Sequence, residues 1–206
     1  MKYGYLITPR MRKEALEIGD AVAKYMHDNN IPNIMLLDRS ARPTYMTLKN
    51  SWKKNYPNEK CPNIYFTNPS GYDTDKPLSE LASEFNKIYT GLAKNKEAPV
   101  IVFDTCMHQG NHITPVEQTM TAAGYNNLIV GLAQPKHNKE NLLNLDFTAL
   151  NHSAGGGCHP FGRYDLVSKQ GIKMLSQPNP ATEWAHGIRK EMNAVFSGQI
   201  EDNYYQ

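Results

Sequence analysis

The sequence has little cysteine, no long apolar run and no excess of either charge. Its three cysteines, Cys61, Cys106 and Cys158, are odd in number and far apart, so a disulfide framework is not expected and a reducing compartment is favoured. No stretch approaches the roughly 18 consecutive apolar residues of a membrane span. The apolar residues near the N-terminus are too few for a secretory segment. We therefore expect a cytoplasmic protein.

The charge balance gives no indication of a nucleic-acid or membrane partner. The 22 basic and 20 acidic residues leave a net charge of +2, and no long basic stretch stands out. A chain of 206 residues with 40% apolar content can bury one substantial core. We expect residues 1–206 to form a single domain, and homodimer formation is left open.

Short apolar strands alternate with amphipathic helices along the chain. The helical spacing of Met11, Ala15, Ile18, Val22 and Met26 predicts the first helix. Further helices are predicted from near Pro43 and over 78–92, 113–123 and 181–197. Strands are predicted over 3–7, 33–38, 63–68, 100–104 and 128–133, with a short strand over 172–175. Residues 142–150 fit a strand or a helix. The alternation predicts an α/β fold of Rossmann-like type, with a parallel twisted sheet and helices on both faces.

Ligands of such sheets bind outside the carboxyl ends of the strands, where the strand order reverses. The first loop in that position runs from Asp38 through Arg39, Ser40, Ala41 and Arg42 into a helix. A helix N-terminus offers free N–H groups, and arginines offer forked donors, both suited to phosphate oxygens. The alternative interpretation is a surface turn whose arginines pair with nearby carboxylates.

A second loop follows the predicted strand 100–104. Asp104 at the strand tip can accept hydrogen bonds from sugar hydroxyls, and the backbone amides of residues 109–112 can hold a phosphate. The alternative is an ordinary connection capped by Asn111. The candidate ligand-binding residues of this loop are Thr105, Cys106, His108, Gln109, Gly110, Asn111 and His112.

Together the two loops resemble those of the type I phosphoribosyltransferases, over roughly residues 11–133. That family carries four apolar residues, two acids, a short variable stretch, a hydroxyl residue, two glycines and a threonine before a helix. Here Val100–Asp104 matches the apolar strand and the first acid, Gly110 the first glycine, and Ile113 the beginning of the helix. Residues 39–42 occupy the place of the family's pyrophosphate loop.

The resemblance implies transfer of ribose 5-phosphate from phosphoribosyl pyrophosphate to a nitrogenous acceptor. It implies that Asp104 holds the ribose, that residues 109–112 hold the 5′-phosphate, and that Arg39 and Arg42 neutralise the pyrophosphate. Mg²⁺ would arrive mainly on the ligand. The implied partner is therefore a small phosphorylated sugar or a nucleotide.

Four positions depart from the family motif. Thr105 replaces the second acid, Gln109 the hydroxyl residue, Asn111 the second glycine and His112 the threonine. Asparagine tolerates the left-handed backbone of a turn, so Asn111 is a mild change. His112 can donate to a phosphate through its imidazole, or its bulk can exclude the phosphate.

Two other functions stay open at this point. One is a non-catalytic member of the same fold that senses a nucleotide or sugar phosphate and acts through a partner. The other is a hydrolase that uses Cys106 with a histidine base, or a metal held by cysteines and histidines. The cysteines and histidines in question lie in two loops, namely Cys106, His108 and His112, and His152, Cys158 and His159. Because no Cys-x-x-Cys pair or His-Glu-x-x-His helix is present, we predict no metal site.

The glycine-rich stretch 151–164 is the last candidate. Its glycines permit hinge motion, and Phe161 or Tyr164 can stack on a base. An ordinary surface loop is the competing interpretation.

Overall fold

The computed structural model describes residues 9–37, 41–69, 75–105, 113–134 and 145–150, together with Lys190, Glu191, Asn193 and Ala194 of a C-terminal helix. The helices are α1 Pro9–Asp28, α2 Arg42–Asn55, α3 Leu78–Ile88, α4 Thr90–Ala93 and α5 Ile113–Ala122. The strands are β1 Asn33–Leu37, β2 Asn63–Thr67, β3 Val100–Asp104, β4 Leu128–Leu132 and β5 Phe147–Thr148. Within these ranges, no helix is both long enough and apolar enough to cross a membrane.

The strands form one five-stranded sheet in the order β2-β1-β3-β4-β5, and every neighbouring pair is parallel. All residues of β1 and β3 are buried, as expected of strands covered on both faces. Successive residues of β1 point to opposite faces of the sheet and pack in two separate hydrophobic cores. Ile34 and Leu36 pack with α1 and α2, whereas Met35 and Leu37 pack with α3 and α5. The predicted α/β class, with a parallel sheet between two helical layers, is confirmed.

Helices α1 and α2 lie side by side on one face of the sheet. Helix α1 leads into β1 through a turn at Asn30, whose φ is 52°, and α2 leaves the other end of β1. Both helices are therefore antiparallel to β1, and each begins near its carboxyl end. They approach closely at Gly19, where a Cβ atom would lie 2.5 Å from Thr47 Cβ and 2.7 Å from its carbonyl carbon. Glycine at this position allows the two helices to touch.

The edge strand β5 is only two residues long. It pairs with Gly131 and Leu132 of β4, and Asp146 lies just before it. The Asp146 backbone N–H donates to the Val130 carbonyl at 3.0 Å, and Asp146 Oδ2 accepts from the Val130 N–H at 2.8 Å. One residue thus satisfies both backbone groups of Val130.

The strands and helices predicted within the described residues are present, with two corrections. The predicted helix 78–92 is divided into α3 and α4 at Tyr89, whose φ of −98° and ψ of 53° are not helical. The Tyr89 hydroxyl donates to the Phe66 carbonyl at 2.8 Å, a contact that holds this break against β2. The helical spacing of Leu78, Leu81, Phe85, Ile88 and Leu92 predicts that Leu78 faces inward, but it is 44% exposed because it occupies the first turn of α3.

Several predictions fall outside the described residues. They are the strands 3–7 and 172–175, the glycine-rich stretch 151–164 and most of the C-terminal helix, of which four residues are described as helical. The ambiguous range 142–150 contains β5, so its described part is a strand.

The contact at Gly19 generates a stability prediction. In Gly19→Ala the new methyl group meets the Thr47 backbone, and overpacking of this kind costs about 1–3 kcal/mol. The better helix propensity of alanine offsets up to about 1 kcal/mol of this cost. We therefore expect the free energy of unfolding, measured in urea, to fall by roughly 1–2 kcal/mol. The exposed neighbour Asp20 provides the control, since Asp20→Ala gains propensity without a clash. Equal stability of Gly19→Ala and the native chain would contradict the close packing.

Candidate functional site

The strand order reverses between β1 and β3. From β1 the chain passes through α2 to β2 on one side, and it then returns to β3 on the other side of β1. The two strands are parallel and paired, with Leu36 opposite Phe103, so their carboxyl ends lie together. The two strands that lead to Asp38 and Asp104 are thus parallel, as predicted, and they are neighbours in the sheet. Asp38 itself lies outside the described residues.

The connection from β1 to α2 is short. The Ala41 N–H donates to the Leu37 carbonyl at 3.0 Å, so residues 38–40 span the distance between them. Ala41 is fully buried and precedes α2 without a capping side chain. The first turns of α2 and α5 contain no acidic residue. Both helices begin at the carboxyl edge of the sheet, so the partial positive charges of two N-termini lie there without an acid in either first turn.

Asp104 is the buried acid of this edge. It is 3% exposed at the tip of β3, and its Oδ1 accepts from the Thr105 N–H at 2.6 Å and lies 3.4 Å from the Thr105 hydroxyl. Thr105 is fully buried, and its carbonyl accepts from the Gln134 N–H at 3.2 Å. A carboxylate that accepts such bonds has a fixed orientation. Asp104 is therefore held by local contacts at the end of the strand.

Gln134 was not among the predicted site residues. It follows β4 by two positions, it is 3% exposed, and its Nε2 has no hydrogen-bond partner within the described part of the chain. A buried amide donor without a partner costs about 1–3 kcal/mol, so such groups are uncommon in native proteins. The backbone bond to Thr105 places Gln134 beside Asp104. No sequence motif marks this glutamine, because its importance depends on burial.

Two further buried polar residues lie near the same edge. Thr44, in the first turn of α2, is fully buried, and its hydroxyl has no hydrogen-bond partner among the described residues. Arg12, in the first turn of α1, is 3% exposed although a cation is unfavourable at a helix N-terminus. Arg12 lies one turn before Ala15 on the buried stripe of α1. Extending that stripe backwards would have identified it from the sequence.

The remaining predicted residues cannot be compared with the structure. Arg39 and Ser40 lie outside the described residues, and Arg42 is described only as the first residue of α2. The same holds for most of the second loop, namely Cys106, His108, Gln109, Gly110, Asn111 and His112. In the ranges that are described, no three His, Cys, Asp or Glu side chains form a group that could hold a metal ion. The roles assigned to the two loops stay predictions.

The geometry of Asp104 generates a second prediction. In Asp104→Asn the side-chain oxygen can still accept from the Thr105 N–H, so we expect the fold to survive. The charge that would strengthen bonds from sugar hydroxyls is lost, and such bonds contribute about 1.5–3 kcal/mol. Calorimetric titration should show that affinity for ribose 5-phosphate falls roughly tenfold or more.

Asp146→Asn is the matched control for this experiment. Asp146 also accepts a backbone N–H, but it lies on the edge of β4 away from the β1–β3 junction. Its replacement should leave ligand affinity unchanged. If Asp104→Asn also leaves affinity unchanged, Asp104 only terminates the strand.

Comparison with known proteins gives structural matches alone. No protein-family model matches the chain, and no curated protein sequence is significantly similar to it. Hypoxanthine phosphoribosyltransferase from Trypanosoma cruzi, in complex with the product IMP, is 9% identical with a TM-score of 0.45, and the match covers 91% of this chain and 93% of that enzyme. A lysine-to-arginine mutant of the same enzyme in a ternary substrates complex is 10% identical, with 84% and 93% covered and a TM-score of 0.42. A glutamine mutant from an analysis of an invariant aspartic acid in HPRTs is 10% identical, with 71% and 79% covered and a TM-score of 0.44. With TM-scores below 0.5, these matches add nothing to the functional argument, which depends on the chain's own residues.

Proposed function

We propose that the chain transfers a ribose 5-phosphate group from phosphoribosyl pyrophosphate to a nitrogenous acceptor. The observation that carries the proposal is the junction of β1 and β3, where buried Asp104 lies at the edge from which α2 and α5 begin. A phosphorylated sugar has both features that this edge complements. Its hydroxyls suit the carboxylate, and its phosphates suit the helix N-termini.

In the proposal, the two loops bind different phosphate groups of the same ligand. Each helix N-terminus contributes the equivalent of about half a positive charge. In the proposal, residues 109–112 hold the 5′-phosphate ahead of α5, with His112 as a donor. Arg39 and Arg42 neutralise the pyrophosphate ahead of α2. The absence of acidic residues from both first turns supports this division, because an acid there would repel the ligand.

The reaction breaks the bond between ribose C1 and the pyrophosphate oxygen. The pyrophosphate leaves with the electron pair, the acceptor nitrogen forms the new bond to C1, and the acceptor loses a proton. Positive charge develops on the ribose as the bond breaks, so positioning and charge stabilisation account for most of the catalysis. Asp104 holds the ribose during this step. The arginines stabilise the departing pyrophosphate.

Magnesium enters the proposal as part of the ligand. Oxygen donors suit Mg²⁺, and the described residues of the site offer the carboxylate of Asp104 and the hydroxyl of Thr105. Asp104 Oδ1 already accepts from the Thr105 backbone N–H, so this pair alone is not a cation site, and most ligands of the ion would come from pyrophosphate and water. When bound, Mg²⁺ would offset pyrophosphate charge.

A second candidate is a sensor that binds the same ligand without turnover. Thr105 favours it, because a buried hydroxyl residue stands where the family carries its second acid. Binding requires the helix N-termini and Asp104, whereas turnover also requires a correctly stabilised transition state. The two candidates therefore share a ligand and differ in the chemical step.

Calorimetric titration with phosphoribosyl pyrophosphate, with and without Mg²⁺, tests the ligand. A pyrophosphate-release assay with a panel of nucleobases then tests the reaction. We expect Mg²⁺-dependent binding followed by release. Binding without release supports the sensor, and the absence of binding contradicts both candidates.

Charge variants of α2 and its preceding loop provide the control. Arg39→Gln with Arg42→Gln should weaken binding of phosphoribosyl pyrophosphate more than binding of ribose 5-phosphate, because only the former carries pyrophosphate. Lys54→Gln with Lys60→Gln removes the same charge from exposed positions in the last turn of α2 and just after it, and should have little effect on either. Equal losses in the two double variants would point to non-specific attraction.

Gln134 generates a prediction about the acceptor. Its buried amide can donate to a carbonyl on a nucleobase, so Gln134→Met should lower affinity for inosine 5′-monophosphate roughly fivefold, the effect of about 1 kcal/mol. Affinity for ribose 5-phosphate, which has no base, should stay the same. The free energy of unfolding should not fall, since a buried donor without a partner is removed. A parallel loss for both ligands would show that Gln134 has no part in base recognition.

A further inference from the structure

A groove of about 410 Å³ lies along α2. Its walls come from α2, from the turn that follows it, from Cys61 just before β2, and from Asn193 of the C-terminal helix. Helix α2 is antiparallel to β1. Its last turns and the turn that follows therefore lie toward the amino ends of the strands, opposite the edge that carries Asp104. The groove has the volume of a small-molecule site, for which about 300–1,000 Å³ is usual.

Positive charge dominates the groove. Lys49 and Lys53 both line it, both are exposed, and they lie one turn apart on the same face of α2. Like charges at this spacing repel and destabilise a helix. The acid in the described lining, Glu59, hydrogen-bonds with His27 Nε2 at 3.2 Å. Two cations therefore face the groove against the single carboxylate of its described lining.

One of these cations is held in position. Lys49 Nζ donates to the Tyr45 hydroxyl at 3.2 Å and lies 5.3 Å from the centre of the same ring. Burial raises the pKa of the Cys61 thiol, and the nearby Lys49 only partly opposes that shift. The thiol is therefore neutral at physiological pH. The thiol therefore does not offset the charge of Lys49.

Aromatic and other apolar side chains form much of the rest of the groove, together with Asn50 and Asn193. Tyr56 stacks on His27 with ring centres 3.9 Å apart, and Trp52 contacts Tyr56 at 5.0 Å. These rings are fixed before any ligand arrives, so binding requires little ordering. Trp52 is 6% exposed, and its indole N–H has no acceptor among the described residues.

We propose that this groove is a second ligand site, which binds a small organic phosphate with an apolar or aromatic body. The phosphate lies between Lys49 and Lys53, and the body rests against Tyr45, Trp52 and Tyr56. A phosphate monoester carries a charge of about −1.5 to −2 at pH 7, which matches two ammonium groups and relieves their repulsion. The site is separate from the edge that carries Asp104, so it does not depend on the proposed transferase activity.

Phenyl phosphate is the probe, and Trp52 is the reporter. The chain has two tryptophans, so Trp184→Phe leaves Trp52 as the only one. Excitation at the red edge of the indole band avoids absorption by the probe. We expect a saturable change in Trp52 fluorescence that excess phosphoribosyl pyrophosphate does not reverse. Inorganic phosphate should bind at least about tenfold more weakly, because it has no apolar body.

Two double variants in the same background separate the groove from general charge. Lys49→Gln with Lys53→Gln should weaken phenyl phosphate binding about tenfold or more, since hydrogen bonds to charged groups are lost. Lys54→Gln with Lys60→Gln removes the same charge from exposed positions outside the groove lining and should change affinity less than about twofold. Equal effects of the two variants would overturn the proposal. So would the absence of saturation, displacement by phosphoribosyl pyrophosphate, or equal affinity for inorganic phosphate.

Discussion

Strand β1 is hydrogen-bonded on both sides, to β2 and to β3, and the rest of the structure depends on this central position. Because the chain leaves β1 in one direction and later returns to its other side, right-handed crossovers place α2 and α3 on opposite faces of the sheet. The carboxyl ends of β1 and β3 are then next to each other, with their connections leading away on different faces. This strand order favours a ligand-binding cleft at that edge, whatever the loop sequences are.

The sheet was predictable because its strands are short and uniformly apolar. The runs in β1 and β3 need two covering layers whatever surrounds them, and the helical stripe of α1 allows only one buried face. The break at Tyr89 was not predictable, because the side-chain spacing continues through it. The contact from the Tyr89 hydroxyl to Phe66 joins residues far apart in sequence and interrupts the helix. Local pattern determines which element forms, and such distant contacts determine where it ends.

The candidate site was predictable in position and only partly in composition. The rule for parallel sheets identified Asp104 from its place at the end of a strand. Gln134 and Thr44 could not be found in the same way, because the feature that distinguishes them is a buried polar atom without a partner among the described residues. That feature exists only after the chain has folded. Sequence motifs find residues that act through their type, whereas these two residues are notable for their surroundings.

The pairing of Asp146 with Val130 has a consequence for self-association. An open sheet edge with free N–H and C=O groups is a template for another strand, and among the described residues β5 pairs with only Gly131 and Leu132 of β4. Asp146 occupies both backbone groups of Val130 and adds a negative charge where an incoming strand would have to pair. Carboxylates at this position repel each other between molecules. Asp146 thereby hinders another strand from pairing with β4 at Val130.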